Sequence, residues 1–456
     1  MIHKTGNIWL FTTKALLFLV VIAVFFVGQM LFYNQTLFFF WGNTVVLLLY
    51  TANLYLSSRI YHGFEFGSVD LPEIILSWIL CLIVANTLQY LILSLLEFAL
   101  LPVSGFLIVL AVQIALVIPL ALLNDKLYYR LNPANEAIII YKQAAKADEY
   151  RGIIGKHRKK FRIRAVVSQE EPTDTILNYI SEAESVFFLD LDETISERLL
   201  EYCFLHNKRA YILPSFSGVL INTAAITWIS NTPVFSPKSP EPDVGTRFFK
   251  RIIDVAVSLL MIICLSWLML MIWAAVRLSD GGPAIYKQTR ETKGGAQFTL
   301  YKFRSMRPDA EDDGIPRLTS QDDARITPVG RIIRRTRLDE LPQLFNVLSG
   351  TMSLVGPRPE RPEIACQYEE IYPNFALRTK VKAGMTGLAQ IYGRYSTAPE
   401  DKLFLDVMYI ETLSIWQDFK LLLQTLKVLF LTSSTEGISN DSTTALRNGD
   451  QHGETF

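Results

Sequence analysis

Chemistry in this 456-residue chain is concentrated between Gly282 and Phe430, a stretch dense in Arg, Lys, Asp and Glu. It holds no histidine and one cysteine, Cys366, so a nucleophile or base there is a carboxylate, a hydroxyl or a lysine. The run "RIIRRTRLDELPQLFNVLSG" (Arg331–Gly350) is the densest part. Pro342 suits the first turn of a helix whose apolar face is Leu341, Leu344, Phe345 and Leu348, and Ser349-Gly350 suits its end. Asp339 and Glu340 then stand at the N-terminus of that helix, where the dipole favours ionised carboxylates. Beside Arg334, Arg335 and Arg337 such a pair can hold Mg²⁺ or attack phosphorus. The same residues also suit an ordinary N-terminal acid paired with arginines.

Three further fragments carry candidate ligands. "SLVGPRPERPE" sets Arg358 between two prolines, which fix the backbone behind a guanidinium able to grip phosphate through two nitrogens. "TLYKFRSMRPDAE" alternates like a strand and sends Lys302 and Arg304 towards one face, with Asp309 and Glu311 after it. "VKAGMTGLAQIYGR" supplies glycines for tight turns, with Gln390 and Arg394 as candidate substrate contacts. A rigid exposed turn or a solvated strand edge would read similarly in isolation. Together, cations beside paired carboxylates suit an anionic, metal-bound diphosphate.

These residues must be positioned by a chain that is half hydrophobic and only 19% charged. Four apolar stretches open it: Ala15–Phe32, Leu37–Leu56, Ile74–Leu96 and Val103–Leu123. Each approaches the roughly 20 residues that span a ~30 Å hydrocarbon core. Lys4, Lys14, Arg59, Lys126 and Arg130 flank alternate ends, which places the N-terminus and everything after Leu123 in the cytoplasm. Polar residues inside these stretches, such as Asn53, Asn86, Gln89 and Gln113, read as hydrogen-bonding partners between helices. Lys plus Arg and Asp plus Glu are each 44, so no basic excess favours nucleic acid. The four scattered cysteines form no CxxC pair and read as isolated thiols.

From about Asn135 short β-branched runs alternate with amphipathic helical ones, which implies a small Rossmann-like domain over residues 131–235. After its first strand the chain reads "YKQAAK", without the glycines that let backbone amides approach a pyrophosphate, so a structural or regulatory module is expected. "SPKSPEPDVG" marks a linker over 236–246. Ile252–Val276 is then apolar for about 25 residues, long enough to cross a bilayer. Arg247, Lys250 and Arg251 precede it and Arg277, Lys287 and Arg290 follow it, which favours two cytoplasmic ends.

In this order, "RFFKRIIDVAVSLL", "GPAIYKQTR", "YKFRSM", "RTRLDELPQLFNVLSGTMSLVGPRPERPE", "KAGMTGLAQIYGR" and "YIETLSIWQDFKLLLQT" closely resemble the bacterial sugar transferases, the polyprenyl-phosphate hexose-1-phosphate transferases. The match runs over about 247–432, and the four-helix start and α/β middle look like the large members. The resemblance implies a mixed α and α/β membrane protein with a mostly helical catalytic domain on a re-entrant helix, about 250–277. It implies a double displacement with Mg²⁺: Asp339 attacks the phosphate nearest the sugar of a UDP-sugar, UMP leaves, and a polyprenyl phosphate lipid takes the phosphosugar. It makes Glu340 a metal or proton partner and Arg358 a phosphate or nucleotide ligand. Lys302, Arg304, Arg337 and Asp406 match further positions around that site. A cytoplasm-facing enzyme of the inner membrane, with a possible homodimer, is the implied setting. The family usually breaks its membrane helix at Ser-Pro; here Trp267 follows Ser266. The polar tail, 433–456, is expected to be disordered.

Overall fold

A computed structural model describes residues 2–33, 41–213, 215–237, 241–308, 323, 325–393 and 399–430. Asp309, Glu311, Arg394 and the 433–456 tail lie outside them. The chain forms two compact units, Met1–Leu213 and Pro214–Phe456.

The first unit opens with α1 (Ile2–Phe32), α2 (Gly42–Ile60), α3 (Leu71–Leu96) and α4 (Val103–Leu131). Polar side chains join them: Gln113 Nε2 donates to Val21 O (3.0 Å) and to the Tyr50 hydroxyl (2.8 Å), and Asn86 Nδ2 donates to Gln113 Oε1 (2.7 Å). Gln89 and Asn53 likewise donate to Val46 O and Ala85 O on neighbouring helices. These side chains are interhelical ties.

The second segment then alternates as β1 (Asn135–Tyr141), α5 (Ala144–Lys156), β2 (Phe161–Ser168), α6 (Thr173–Glu182), β3 (Ser185–Leu189), α7 (Glu193–Leu205) and β4 (Arg209–Ile212). The strands are parallel in the order β2-β1-β3-β4. Successive side chains of β1 face opposite sides. Ile138 and Ile140 pack with Ile176, Ile180 and Leu199, and Ile139 packs with Ala147 and Ile154, so helices cover both faces.

The second unit continues with α8 (Phe216–Thr223), the hairpin β5 (Ala225–Ile229) and β6 (Thr232–Ser236), and α9 (Val244–Asp280). Next come the hairpin β7 (Ile285–Glu291) and β8 (Gln297–Phe303), α10 (Pro328–Arg335), α11 (Gln343–Ser349), β9 (Ser353–Val355) and α12 (Pro362–Ile371). The unit ends with β10 (Gly384–Thr386), α13 (Leu388–Tyr392), α14 (Pro399–Glu411) and α15 (Ile415–Phe430).

Among the described residues, four helices are long and apolar enough to cross a membrane: Ile8–Phe32, Leu71–Leu96, Val103–Leu131 and Val244–Asp280. The expected Leu37–Leu56 span is not one of them. Residues 37–40 of it lie outside the described residues, and the helix that follows, α2, has 19 residues and runs on through Ser57, Ser58 and Arg59.

α9 is one continuous helix of 37 residues, about 55 Å at 1.5 Å per residue. Asp243 caps its start by accepting from Thr246 N (2.9 Å), and Gly281, at φ 73°, ends it. Ser266 Oγ donates to Ile263 O (2.9 Å), within an unbroken helix. Both ends of α9 pack on the same unit. Near its start Arg251 donates to Val347 O (2.7 Å) and Leu348 O (2.8 Å), and Asp254 accepts from Leu354 N (3.0 Å). Near its end Ile272 and Val276 are buried with Ala284, Phe298 and Leu300.

Candidate functional site

The site is assembled on the β7–β8 hairpin and the 3₁₀ turn Leu338–Glu340. Tyr286 and Lys302 are directly opposed across the hairpin, and the Lys302 ammonium lies 4.9 Å from the Tyr286 ring centre. Asn346 of α11 fixes the turn's own helix to that hairpin: its Nδ2 donates to Thr299 O (2.8 Å) and its Oδ1 accepts from Tyr301 N (3.0 Å). Arg337 enters the turn at φ 53°, a left-handed conformation that costs a non-glycine residue about 1 kcal/mol or more and is held by its surroundings.

Asp339 and Glu340 therefore close a 3₁₀ turn ahead of α11, with Pro342 just before the helix rather than within it. Arg358 comes from the loop after β9, and its Nη2 donates to Glu340 Oε1 at 2.9 Å. That loop is placed by β9 pairing in parallel with β10. The approach needs glycine: a Cβ on Gly384 would stand 2.1 Å from Gly356 N.

The two adjacent carboxylates are in opposite electrostatic states. Burial, reinforced by Glu340, pushes Asp339 up to about 6 against the pull of Lys302, Arg334 and Arg358. Burial also acts on Glu340, but Arg358 and Arg337 outweigh it and hold that carboxyl below its ordinary range. Lys302 is brought down to about 8 by burial and by Arg290, Arg334 and Arg358, with Asp339 opposing. Neighbouring acids driven apart in this way mark a division of roles. Glu340 is a fixed anion held by Arg358, while Asp339 is less tightly neutralised and available to phosphorus or a cation.

Of the residues singled out in the sequence, Asp339, Glu340, Lys302, Arg337 and Arg358 come together, with Arg334 beside them. Three others have separate partners. Arg304 is buried and pairs with Asp280 at the end of α9. Gln390 Nε2 donates to Met385 O in its own turn (3.1 Å). Asp406, almost fully buried, pairs with Arg378 at 2.8 Å. Sequence reasoning missed Arg378, Glu360 and Arg290, which lie 3.6 to 3.7 Å apart as ion pairs centred on Glu360. In the sequence Glu360 stands inside "GPRPERPE", Arg290 counts only as a charge flanking the apolar segment, and nothing local marks Arg378.

Among the described residues no three His, Cys, Asp or Glu side chains cluster as a metal cage. Two adjacent carboxylates are nonetheless a suitable donor set for Mg²⁺, which keeps waters and takes its other ligands from substrate phosphates.

A family model described as "Bacterial sugar transferase" matches residues 245–432, the whole of this site and its supporting elements. The UDP-glucose:undecaprenyl-phosphate glucose-1-phosphate transferase of Caulobacter vibrioides is 38% identical over 203 residues, covering 43% of this chain and 76% of that protein. The chain belongs to the bacterial sugar transferase family. Two longer relatives match over about half of their length. The undecaprenyl-phosphate galactose phosphotransferase of Salmonella typhimurium is 36% identical, over 49% of this chain and 50% of its own. The UDP-N-acetylgalactosamine-undecaprenyl-phosphate N-acetylgalactosaminephosphotransferase of Aeromonas hydrophila is 34% identical, over 51% and 55%. In this sugar transferase the Asp339–Glu340 turn and Arg358 thus fall inside the matched segment, whereas α1–α4 and the parallel sheet fall outside it.

Proposed function

We propose that this sugar transferase moves a hexose-1-phosphate from a UDP-sugar to undecaprenyl phosphate, opening the synthesis of a surface polysaccharide. The reading is carried by one observation: an Asp339 carboxyl raised towards neutrality beside a Glu340 fixed by Arg358, within a ring of Lys302, Arg334 and Arg337. In the first step an Asp339 oxygen forms a bond to the phosphorus nearest the sugar. The anhydride bond breaks and UMP leaves with the bridging oxygen. In the second, a phosphate oxygen of the lipid attacks the same phosphorus. The acyl–phosphate bond breaks, Asp339 regains its carboxylate, and the product is a lipid-diphosphate-sugar. Lys302, Arg334 and Arg358 offset the phosphate charge in a partly desolvated site. Mg²⁺ held by Asp339 and Glu340 would neutralise the diphosphate and orient it.

The same proposal has α9 enter the cytoplasmic leaflet and return without crossing. Supporting this, both ends of α9 pack on the same unit, and Arg247 and Arg277 flank its apolar stretch. The parallel sheet is proposed to be a Rossmann-like module with a supporting rather than nucleotide-binding role, in keeping with the glycine-free "YKQAAK" after β1.

The test is release of UMP from UDP-glucose, UDP-galactose and UDP-N-acetylgalactosamine by membranes holding this protein, with and without undecaprenyl phosphate and Mg²⁺. One sugar label is expected to move into the organic phase. Asp339→Asn is expected to lose at least about 10³-fold in rate. Full turnover by that variant, or the absence of any phosphosugar adduct on the intact protein during turnover, would remove Asp339 from the nucleophile's role.

A further inference from the structure

The loop Pro357–Glu360 cannot anchor itself through amide donors at Pro357 and Pro359, because proline has no N–H. It is held through its acceptors instead. All four of its consecutive carbonyls are engaged, each by a different residue. Gly384 N donates to Pro357 O (2.8 Å), and Arg378 Nη2 donates to Arg358 O (2.8 Å). Arg290 Nη1 donates to Pro359 O (3.0 Å), and Glu291 N donates to Glu360 O (3.1 Å). The donors come from β7, from β10 and from the 3₁₀ segment Phe375–Lys380.

Two of these four donors are arginine side chains, and both are held in turn. Arg378 is 6% exposed, lies 4.9 Å from the Phe375 ring and pairs with Asp406 at 2.8 Å. Arg290 is braced by Gln288 Oε1, at 3.0 Å from Nε and 2.7 Å from Nη2, and by Glu360. Each guanidinium serves a loop carbonyl and a carboxylate together: Nη2 of Arg378 meets Arg358 O and Asp406, and Nη1 of Arg290 meets Pro359 O and Glu360.

We infer that Arg378, oriented by Asp406 and assisted by Arg290, is a positioning residue for Arg358: it clamps the loop backbone so that the Arg358 guanidinium reaches Glu340. This rests on the transferase reading only for its kinetic consequence. The mechanical part concerns the loop itself.

The experiment compares Arg378→Gln, the pair Arg378→Gln with Asp406→Asn, and Arg290→Gln in the full-length protein. The paired variant leaves no unpartnered carboxylate buried at Asp406. Hydrogen exchange of the peptide spanning 356–363, which needs no substrate, is expected to quicken in all three. The kcat/KM is expected to fall roughly 10- to 100-fold in the Arg378 variants, as a small misplacement of a catalytic group does. In an Arg358→Lys background the Arg378 change is expected to cost less than about threefold, because the two act through one another. Unchanged exchange in the loop would overturn the clamp whether or not the wild type turns over. Multiplicative losses in the Arg358→Lys background would overturn the route through Arg358. An inactive wild type with a loosened loop in the variants would leave the clamp standing and sink the transferase reading.

Discussion

Lysine and aspartate act on each other's charge in both units, and the outcomes are opposite. Beyond the parallel sheet, Lys142 pairs with Asp192 at 2.8 Å and Lys146 with Asp190 at 3.0 Å, with half-exposed side chains. There Asp192 raises the Lys142 ammonium and Lys142 lowers the Asp192 carboxyl, so each charge reinforces the other. On the β7–β8 hairpin the signs reverse: Lys302 is lowered to about 8 and Asp339 raised to about 6. Burial and unequal numbers of neighbours outweigh attraction there. The first arrangement is finished, and the second is left in need of a counter-charge. That asymmetry, rather than the residue types, separates structure from chemistry in this chain.

The comparison can be broken at several points. Lys302→Met should cost roughly 100-fold in kcat/KM, as loss of one preorganised charge commonly does. It should also flatten the alkaline limb of the profile. In the unaltered protein kcat/KM should be bell-shaped. It should fall about tenfold per pH unit below about 6, as Asp339 is protonated, and again above about 8, as Lys302 loses its proton. A flat profile between pH 5 and 9 would remove the contrast. Asn346→Ala should lower stability by ~1–3 kcal/mol, because Thr299 O and the Tyr301 amide lose their partner; a thermal melt measures this. The smallest effect belongs to Asp192→Asn, for which activity should stay within about twofold and the melting midpoint within about 2 °C. A large loss there would give the parallel sheet a role its exposed ion pairs do not suggest.

The strands and helices of the first unit could be read closely from the sequence, because periods of 2 and 3.6 are local. The alternation of β-branched and amphipathic runs expected from about Asn135 corresponds to β1–β4 and α5–α7. The core of the site was legible for a related reason: Asp339, Glu340 and Arg337 are neighbours in sequence, and two prolines hold Arg358. Arg304, Gln390 and Asp406 could not be placed, since their partners depend on tertiary folding. Arg304 meets Asp280, 24 positions earlier, and Asp406 meets Arg378, 28 positions earlier. Lys250 and Arg251 carry a different lesson. Counted as cytoplasmic flanking charges, they are in fact ligands of the domain, Lys250 to Asp418 and Val355 O, and Arg251 to the last carbonyls of α11. A charge count presumes that such side chains face water.

Those contacts of Arg251 and Asp254 have a practical corollary. The apolar helix contributes a cap to α11 and a partner to β9, so it is an internal strut of the catalytic fold as much as a lipid tether. Trimming it away to obtain a water-soluble enzyme would leave Val347 O, Leu348 O and the Leu354 amide unsatisfied, just behind the Asp339 turn. Soluble versions of this domain are better sought by recoding the exposed apolar side chains of α9, such as Leu260, Ile263 and Leu270, than by excising the segment.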